Sequence, residues 1–205
     1  GMNNENEVVA YLKDDDKLIT IKQDHMNVEN LGIKLDTFEN VQFEFDKDGN
    51  VFVLGQDITA ENDNTISLIE RQLIVLNADE YSEQTNMIKE ISKGYASLKD
   101  EIIKKIEVDS KGYLYTLKLS GSIEVFNNKL EGIGIYDNGK YADFEIDEND
   151  NLIVLHRKQG SKSRAERIDT SSRKTIWQEE YNGTIAPEYI YYNENTKLLY
   201  SLNYK

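Results

Sequence analysis

The chain has 205 residues, of which 39% are hydrophobic and 10% aromatic, and a formal net charge of −14. It is too apolar for a disordered chain, and its acidity disfavours nucleic acid and anionic membranes as partners. No apolar run reaches the roughly 18 residues of a membrane span. The absence of cysteine excludes disulfides, thiolate metal ligands and cysteine nucleophiles.

The N-terminus begins with Gly1 before Met2, which is typical of a residue left by an expression tag. We assign residues 1–6 to a disordered tail and residues 7–205 to a single domain, since this length suits one domain. The first predicted element is a hairpin of Glu7–Leu12 and Lys17–Gln23. Its acidic turn at Asp14–Asp16 is interpreted as solvated.

A phrase of apolar residue, Glu, apolar residue and Asp then recurs, followed by a turn and a second apolar run. Its copies lie at Phe43–Asp46, Ile106–Asp109 and Phe144–Asp147, with a weaker one at Ile190–Asn193. Alternation at period two predicts a half-buried strand, and consecutive apolar residues predict a strand covered on both faces. Asp or Asn can bond the backbone two residues on. The phrase therefore predicts four β-hairpins.

Hairpins of a second type lie between these copies. They pair Leu73–Leu76 with Asn86–Ile91, Ser122–Phe126 with Lys129–Tyr136, and Ala165–Ile168 with Lys174–Tyr181. Each unit thus offers four strands, the composition of a β-propeller blade. The last unit has only its first hairpin, and the N-terminal hairpin is of the second type.

We therefore predict an all-β fold, a small β-propeller of about four four-stranded blades. The N-terminal hairpin would close the ring by pairing with the C-terminal hairpin, which would also remove exposed strand edges.

The segment between the first two copies is irregular. Gln56–Asn64 is polar and is predicted as a loop. Apolar residues at helical spacing follow in the stretch 85–104, at Ile88, Ile91, Tyr95, Leu98 and Ile102. We expect a strand to Ile91 and then a short helix over Tyr95–Lys104, with a long amphipathic helix on an α+β fold as the alternative.

The segments Val41–Leu54 and Ile106–Leu117 resemble β-propeller repeats of the NHL and gluconolactonase-like kind. The resemblance implies a propeller module such as those of exported bacterial lipoproteins. For the enzymes of this kind, it also implies a divalent metal held at the central channel by Glu, Asn and Asp. No Arg-Ile-type signature follows the second strand here, and four blades would be few for such families.

Acidic residues offer two candidate sites. Asp46–Asn50 looks like the opening of a Ca²⁺ loop, but position 12 is Asp57 rather than Glu, and sister loops share only the turn. Glu44, Glu107 and Glu145 recur once per copy and would face either solvent or a channel. A feature of every repeat is more often structural than catalytic, so no metal residue is predicted.

Other catalytic signals are weak. His25 and His156 are 131 positions apart and have no local nucleophile motif, and Gly132–Gly134 lacks the third glycine of a phosphate loop. We therefore predict no catalytic residue and no cofactor.

Aromatic residues concentrate near the C-terminus, in a chain with 13 tyrosines. The candidate ligand contacts are Trp177, Tyr181, Tyr189, Tyr191 and Tyr192, because tyrosine and tryptophan are enriched at binding surfaces. Alternation places Tyr189 and Tyr191 on one face and Tyr192 on the other, and core packing is the competing interpretation. The basic segment 157–173 indicates a solvated loop or a docking site for an acidic partner.

These observations favour a non-enzymatic binding or scaffolding module of an exported bacterial protein, with a protein or glycan ligand at one face of the ring. The alternatives are a metal-dependent lactonase- or hydrolase-like enzyme and a fragment of a larger propeller. We expect a monomer that neither binds nucleic acid nor inserts into a membrane. An extracytoplasmic location, as a cell-surface lipoprotein, is favoured over the cytoplasm.

Overall fold

The computed structural model describes residues 8–12, 17–21, 26–30, 40–48, 50–62, 65–76, 84–91, 102–136, 141–157, 162–182, 187–193 and 195–202. Within these ranges the chain forms seventeen β-strands and no helix. The described part therefore also has no helix that could span a membrane. The expected tail at residues 1–6, the turn at Asp14–Asp16 and His25 lie outside the described residues.

The strands form five antiparallel sheets in which consecutive strands are neighbours. An N-terminal sheet contains β1 (Val8–Leu12), β2 (Lys17–Ile21) and β3 (Met26–Asn30). Sheet A contains β4 (Asn40–Phe45), β5 (Val51–Asn62), β6 (Thr65–Leu76) and β7 (Gln84–Ile91). Sheet B contains β8 (Ile103–Val108), β9 (Leu114–Lys118), β10 (Ile123–Phe126) and β11 (Gly132–Tyr136). Sheet C contains β12 (Tyr141–Ile146), β13 (Leu152–His156), β14 (Lys162–Ile168) and β15 (Thr175–Asn182), and sheet D contains β16 (Tyr189–Asn193) and β17 (Leu198–Leu202).

The first turn of sheets A to D is built by one side chain. In sheet A, Asp46 Oδ1 accepts hydrogen bonds from the backbone amides of Asp48 and Asn50, each at 2.9 Å. Equivalent bonds to amides two or more residues on are accepted by Asp109, Asp147 and Asn193. The four predicted hairpins are confirmed, and Asp46 acts as a turn residue like its counterparts.

Sheets A to D stand side by side through their first strands, because β8 contacts both β4 and β12, and β12 also contacts β16. An apolar layer fills each interface between neighbouring sheets. Phe52 and Leu54 of sheet A pack with Ile106 of sheet B, and Ile153 of sheet C packs with Ile190 of sheet D. The layer between sheets B and C contains Tyr115, Leu117, Ile123, Val125, Tyr136, Tyr141, Phe144, Leu152, Val154 and Ile168. The all-β blade architecture predicted from the repeat is confirmed.

Two local predictions are wrong, and one strand was missed. The polar segment Gln56–Asn64 is largely strand, and Gln56 is buried because its amide exchanges hydrogen bonds with the backbone of Ile103, at 2.7 and 2.9 Å. Strand β3 was not predicted. The long helix is excluded since β7 covers Gln84–Ile91, and the short helix cannot reach Lys104 because β8 begins at Ile103. The rest of that expected helix lies outside the described residues.

Ring closure is not confirmed. Among the described strands, β1 to β3 form a sheet of their own, and β17 pairs only with β16. The described strands therefore form three blades of four strands, one blade of two strands and a separate sheet of three strands. The prediction was four blades of four strands each. Pairing of the N-terminal hairpin with the C-terminal hairpin stays a prediction, as does the single domain over residues 7–205.

Candidate functional site

One position of the repeat joins each blade to the next. It lies two residues before the recurrent glutamate, or before Tyr191 in the fourth copy, and holds Gln42, Lys105, Asp143 and Tyr189, of which the first three make such a link. Gln42 bonds the backbone of Lys104 and Ile106 on β8, at 3.1 and 3.2 Å. Asp143 accepts a bond from the amide of Ile190 on β16 at 2.9 Å.

Lys105 makes the corresponding link from sheet B to sheet C. Its ammonium lies among carboxylates near the axis at which the first strands of the sheets meet. Its Nζ lies 2.8 Å from Glu107 Oε1, 2.5 Å from Glu145 Oε1 and 3.6 Å from Asp143 Oδ1. The same ammonium donates to the carbonyl of Phe144 at 2.6 Å. Sequence reasoning identified the glutamates but missed Lys105. The available signal was that Lys105 lies two residues before Glu107, so both side chains lie on the same face of the strand.

The axial carboxyls have raised pKa values. Burial, followed by the charge of Glu107, raises the pKa of Glu44 to about 8. Burial raises the pKa of Glu107 to about 7 and that of Glu145 above its ordinary value, against the opposing charge of Lys105. Burial alone would lower the pKa of Lys105, but the carboxylates of Glu107, Asp143 and Glu145 raise it above its ordinary value.

This axial cluster of Glu44, Lys105, Glu107, Asp143 and Glu145 answers the question left open at the sequence level. Glu107 and Glu145 face the axis, where they bind Lys105 of the same chain. No group of three or more His, Asp or Glu side chains in the described ranges is arranged to hold a metal ion. Within the cluster, Lys105 of sheet B pairs with Asp143 and Glu145 of sheet C, so charge ties these two sheets together.

His156 belongs to a second polar cluster, at the interface of sheets B and C. Its Nε2 lies 2.5 Å from Glu166 Oε2, which Arg164 also contacts at 3.3 Å, while the Thr175 hydroxyl donates to Glu166 Oε1 at 3.2 Å. Burial and then the charge of Arg164 lower the pKa of His156, although Glu166 opposes them. Sequence reasoning missed Glu166. The only signal was its position next to Ala165 on a predicted strand, which places the two side chains on opposite faces of the sheet.

The aromatic candidates separate into three environments. Tyr189 and Tyr191 lie on the exposed face of sheet D, where the Tyr191 ring stacks on Tyr200 with centroids 6.3 Å apart. Tyr192 is buried against sheet C with Ile153 and Leu155, so it packs in the core instead of facing a ligand. The alternation predicted for these three tyrosines is confirmed by the burial of β16.

Trp177 and Tyr181 lie on β15, on the face of sheet C that looks toward sheet D. The register aligns Ile153, Arg167 and Trp177 across β13, β14 and β15, and aligned residues point to the same face. Ile153 is covered by sheet D, whereas the Trp177 side chain is 39% exposed. The two strands of sheet D do not extend over the outer half of sheet C.

Three basic side chains of the segment 157–173 form ion pairs within the chain. Lys162 pairs with Glu180 at 2.9 Å, Arg164 with Glu166, and Arg167 with the buried carboxylate of Asp147. Within the segment, Lys162–Ile168 forms strand β14 rather than part of the expected solvated loop.

The arrangement of sheets is similar to that of β-propellers of known structure. The Dos1 propeller superposes with a TM-score of 0.55 at 10% identity, over 98% of this chain and 50% of that protein. The WD40 domain of Toxoplasma gondii coronin gives 0.52 at 12% identity, over 92% and 50%. A putative 6-phosphogluconolactonase from Bacteroides uniformis gives 0.50 at 15% identity, over 97% and 61%.

The chain thus spans one half to about three fifths of the length of these proteins. Neither a protein-family model nor a curated protein sequence matches it. The shared architecture, together with the repeated hairpins and the first strands that meet at the axis, identifies the chain as a β-propeller repeat protein.

Proposed function

We propose that the chain is a non-enzymatic binding module that takes an extended segment of a partner protein beside β17. The observation that carries the proposal is the exposure of Trp177. On the fourth strand of sheet B, the aromatic residue on the corresponding face, Tyr136, is only 7% exposed because sheet C covers it. A strand placed beside β17 would cover Trp177 in the same way.

The chemistry of sheet D suits a protein partner. Its exposed face carries two cross-strand pairs of large side chains, Tyr189 with Leu202 and Tyr191 with Tyr200. Strand addition supplies affinity through the backbone, and pockets for alternate side chains supply specificity. Tyrosine and tryptophan add a large contact area at a low cost in side-chain entropy.

The experiment selects binders from a phage-displayed library of peptides on the immobilised full chain. We expect the selected peptides to lose at least tenfold in affinity for a Tyr191→Ser, Tyr200→Ser double variant and for Trp177→Ala, and to keep their affinity for Tyr113→Ser. Tyr113 is the matched control, since it is an exposed tyrosine on sheet B. N-methylation of alternate peptide amides should also abolish binding, because it removes the strand's hydrogen bonds.

Three outcomes would contradict the proposal. Equal binding to wild type and the double variant would exclude this surface. Binding of neutral glycans, but not peptides, that the same variants abolish would make the ligand a glycan. Occupation of this place by the chain's own N-terminal sheet would make it a ring-closure site.

The sequence-based expectations of a monomer and of an exported bacterial protein belong to the same proposal. Light scattering of the purified chain at several concentrations tests the first of these. A mass that rises with concentration would contradict it.

The alternative function is a metal-dependent hydrolase using the axial glutamates. It would need Glu107 and Glu145 to leave Lys105, to which both are paired. A rise in melting temperature on addition of Ca²⁺ or Zn²⁺, abolished by Glu107→Gln, would favour the enzyme over the binding module.

A further inference from the structure

A cleft between the outer strands of sheets B and C contains two adjoining cavities. One, of about 300 Å³, is lined by Tyr113, Ile133 and Ser171 among others, and the second, of about 360 Å³, by Ile135 and His156. Tyr136 and Arg173 line both cavities. Their combined size suits a ligand of monosaccharide size or somewhat larger.

Arg173 differs from the other arginines whose side chains are described. Arg164 and Arg167 pair with carboxylates, and Arg157 donates to the carbonyl of Leu119. The guanidinium of Arg173 instead lies over the Tyr136 ring, 5.1 Å from its centroid, with no carboxylate of a described residue within 4 Å. In a chain with a net charge of −14, such an arginine is unusual.

The backbone of Arg173 is held by its turn, and its side chain lies across a neighbouring glycine. Its backbone has a φ of +57°, and its amide donates to the carbonyl of Asp169 at 2.8 Å, which closes the turn between β14 and β15. The side chain then crosses Gly134 of β11. A Cβ on that glycine would lie 2.5 Å from Arg173 Nη2, so the guanidinium occupies space that only glycine leaves open.

We propose that this cleft binds a small ring-bearing ligand through an oxyanion, a carboxylate or a phosphate, held by Arg173. A guanidinium presents its donors as a planar fork that matches both oxyanions. Ile133 and Tyr113 supply partly exposed apolar surface for the ring of the ligand. Asp109, which lines the smaller cavity, does not compete for the arginine because its oxygens accept bonds from Lys111, Tyr113 and Tyr115. Glu166, which lines the larger cavity, pairs with His156 and Arg164 instead.

The test is isothermal titration calorimetry of the full chain with glucuronate, glucose 6-phosphate and glucose. We expect one or both anions to bind and glucose to bind at least tenfold more weakly. The anion that binds more tightly identifies the oxyanion as carboxylate or phosphate.

Two variants separate the arginine from the rest of the cleft. Arg173→Gln should reduce the affinity at least tenfold, and Gly134→Ala should do the same without changing the charge, because it displaces the guanidinium. Lys129→Gln removes an exposed cation that lines neither cavity and should leave binding unchanged.

Absence of heat with both anions at millimolar concentrations would overturn the proposal. So would glucose binding as tightly as the anions, or an Arg173→Gln variant that folds and binds like wild type. Far-ultraviolet circular dichroism and melting temperature establish the fold of each variant.

Discussion

The interface between sheets B and C differs from the one between sheets C and D. Between B and C, burial extends as far as Tyr136 on the fourth strand of sheet B, which is covered although Ile133 and Ile135 beside it line the open cleft. Between C and D, burial stops near the second strand and Trp177 remains exposed. The two interfaces share the repeat, the turn chemistry and the contact between first strands. They differ because sheet D has two strands where sheet C has four.

The difference shows that the apolar face of a blade is buried by the neighbouring blade and not by residues of the same blade. The burial pattern of a strand therefore depends on how many strands the next sheet contributes. The complete interface should determine stability, whereas the incomplete one should be available for binding.

The largest expected effect is at the complete interface. Phe144 is fully buried between sheets B and C. Replacing it by alanine removes most of the side chain and leaves a cavity, so Phe144→Ala should reduce the free energy of unfolding by about 3–5 kcal/mol. Tyr191→Ala on sheet D, where the side chain is 52% exposed, should cost under about 1 kcal/mol. Urea unfolding of both variants measures the contrast, and equal losses would contradict it.

The axial lysine should have the next largest effect. Lys105→Met leaves Glu107, Asp143 and Glu145 buried without their cation, which should cost about 3 kcal/mol at neutral pH. The loss should shrink in acid, where Glu107 and Glu145, whose pKa values are raised, become neutral. Lys129→Met, at an exposed turn, is the control and should change stability by under about 0.5 kcal/mol. A neutral effect of Lys105→Met would show that the axial cluster does not hold the blades together.

The pH dependence of stability should follow Glu44. Its pKa is raised from 4.5 to about 8 in the folded chain. Between these values the folded state retains a proton that the unfolded state has lost, so stability falls as pH rises through this range and levels off above it. Glu44→Gln should flatten this slope and stabilise the chain by about 2 kcal/mol at about pH 8.5.

Melting temperatures from about pH 5 to about pH 8.5 test the Glu44 prediction. Glu179→Gln, on the exposed outer strand of sheet C, is the matched control. A Glu44→Gln variant with the same pH profile as wild type would show that the cluster is hydrated rather than desolvated.

How much the sequence could predict depends on the range of the interaction. The hairpins were predictable because Asp46, Asp109, Asp147 and Asn193 bond amides only a few residues away. The length of β5 was not, since Gln56 is buried by a bond to Ile103, which lies 47 positions along the chain.

The features of the candidate site also divide into those set by local sequence and those set by long-range contacts. That Tyr189 and Tyr191 share one face and Tyr192 lies on the other followed from alternation alone, but which face is exposed did not. The partnership of Lys105 with Glu145 and the exposure of Trp177 did not, because both depend on which strands lie across an interface.

The most direct test of the account is amide hydrogen exchange along β17 and β9, measured by nuclear magnetic resonance. Strand β9 is paired on both sides, whereas β17 is paired with β16 alone among the described strands. The account predicts that amides of β17 facing away from β16 exchange at least roughly 100-fold faster than those of β9. Equal protection of the two strands would contradict it, because it would mean that another strand already lies beside β17 in the free chain.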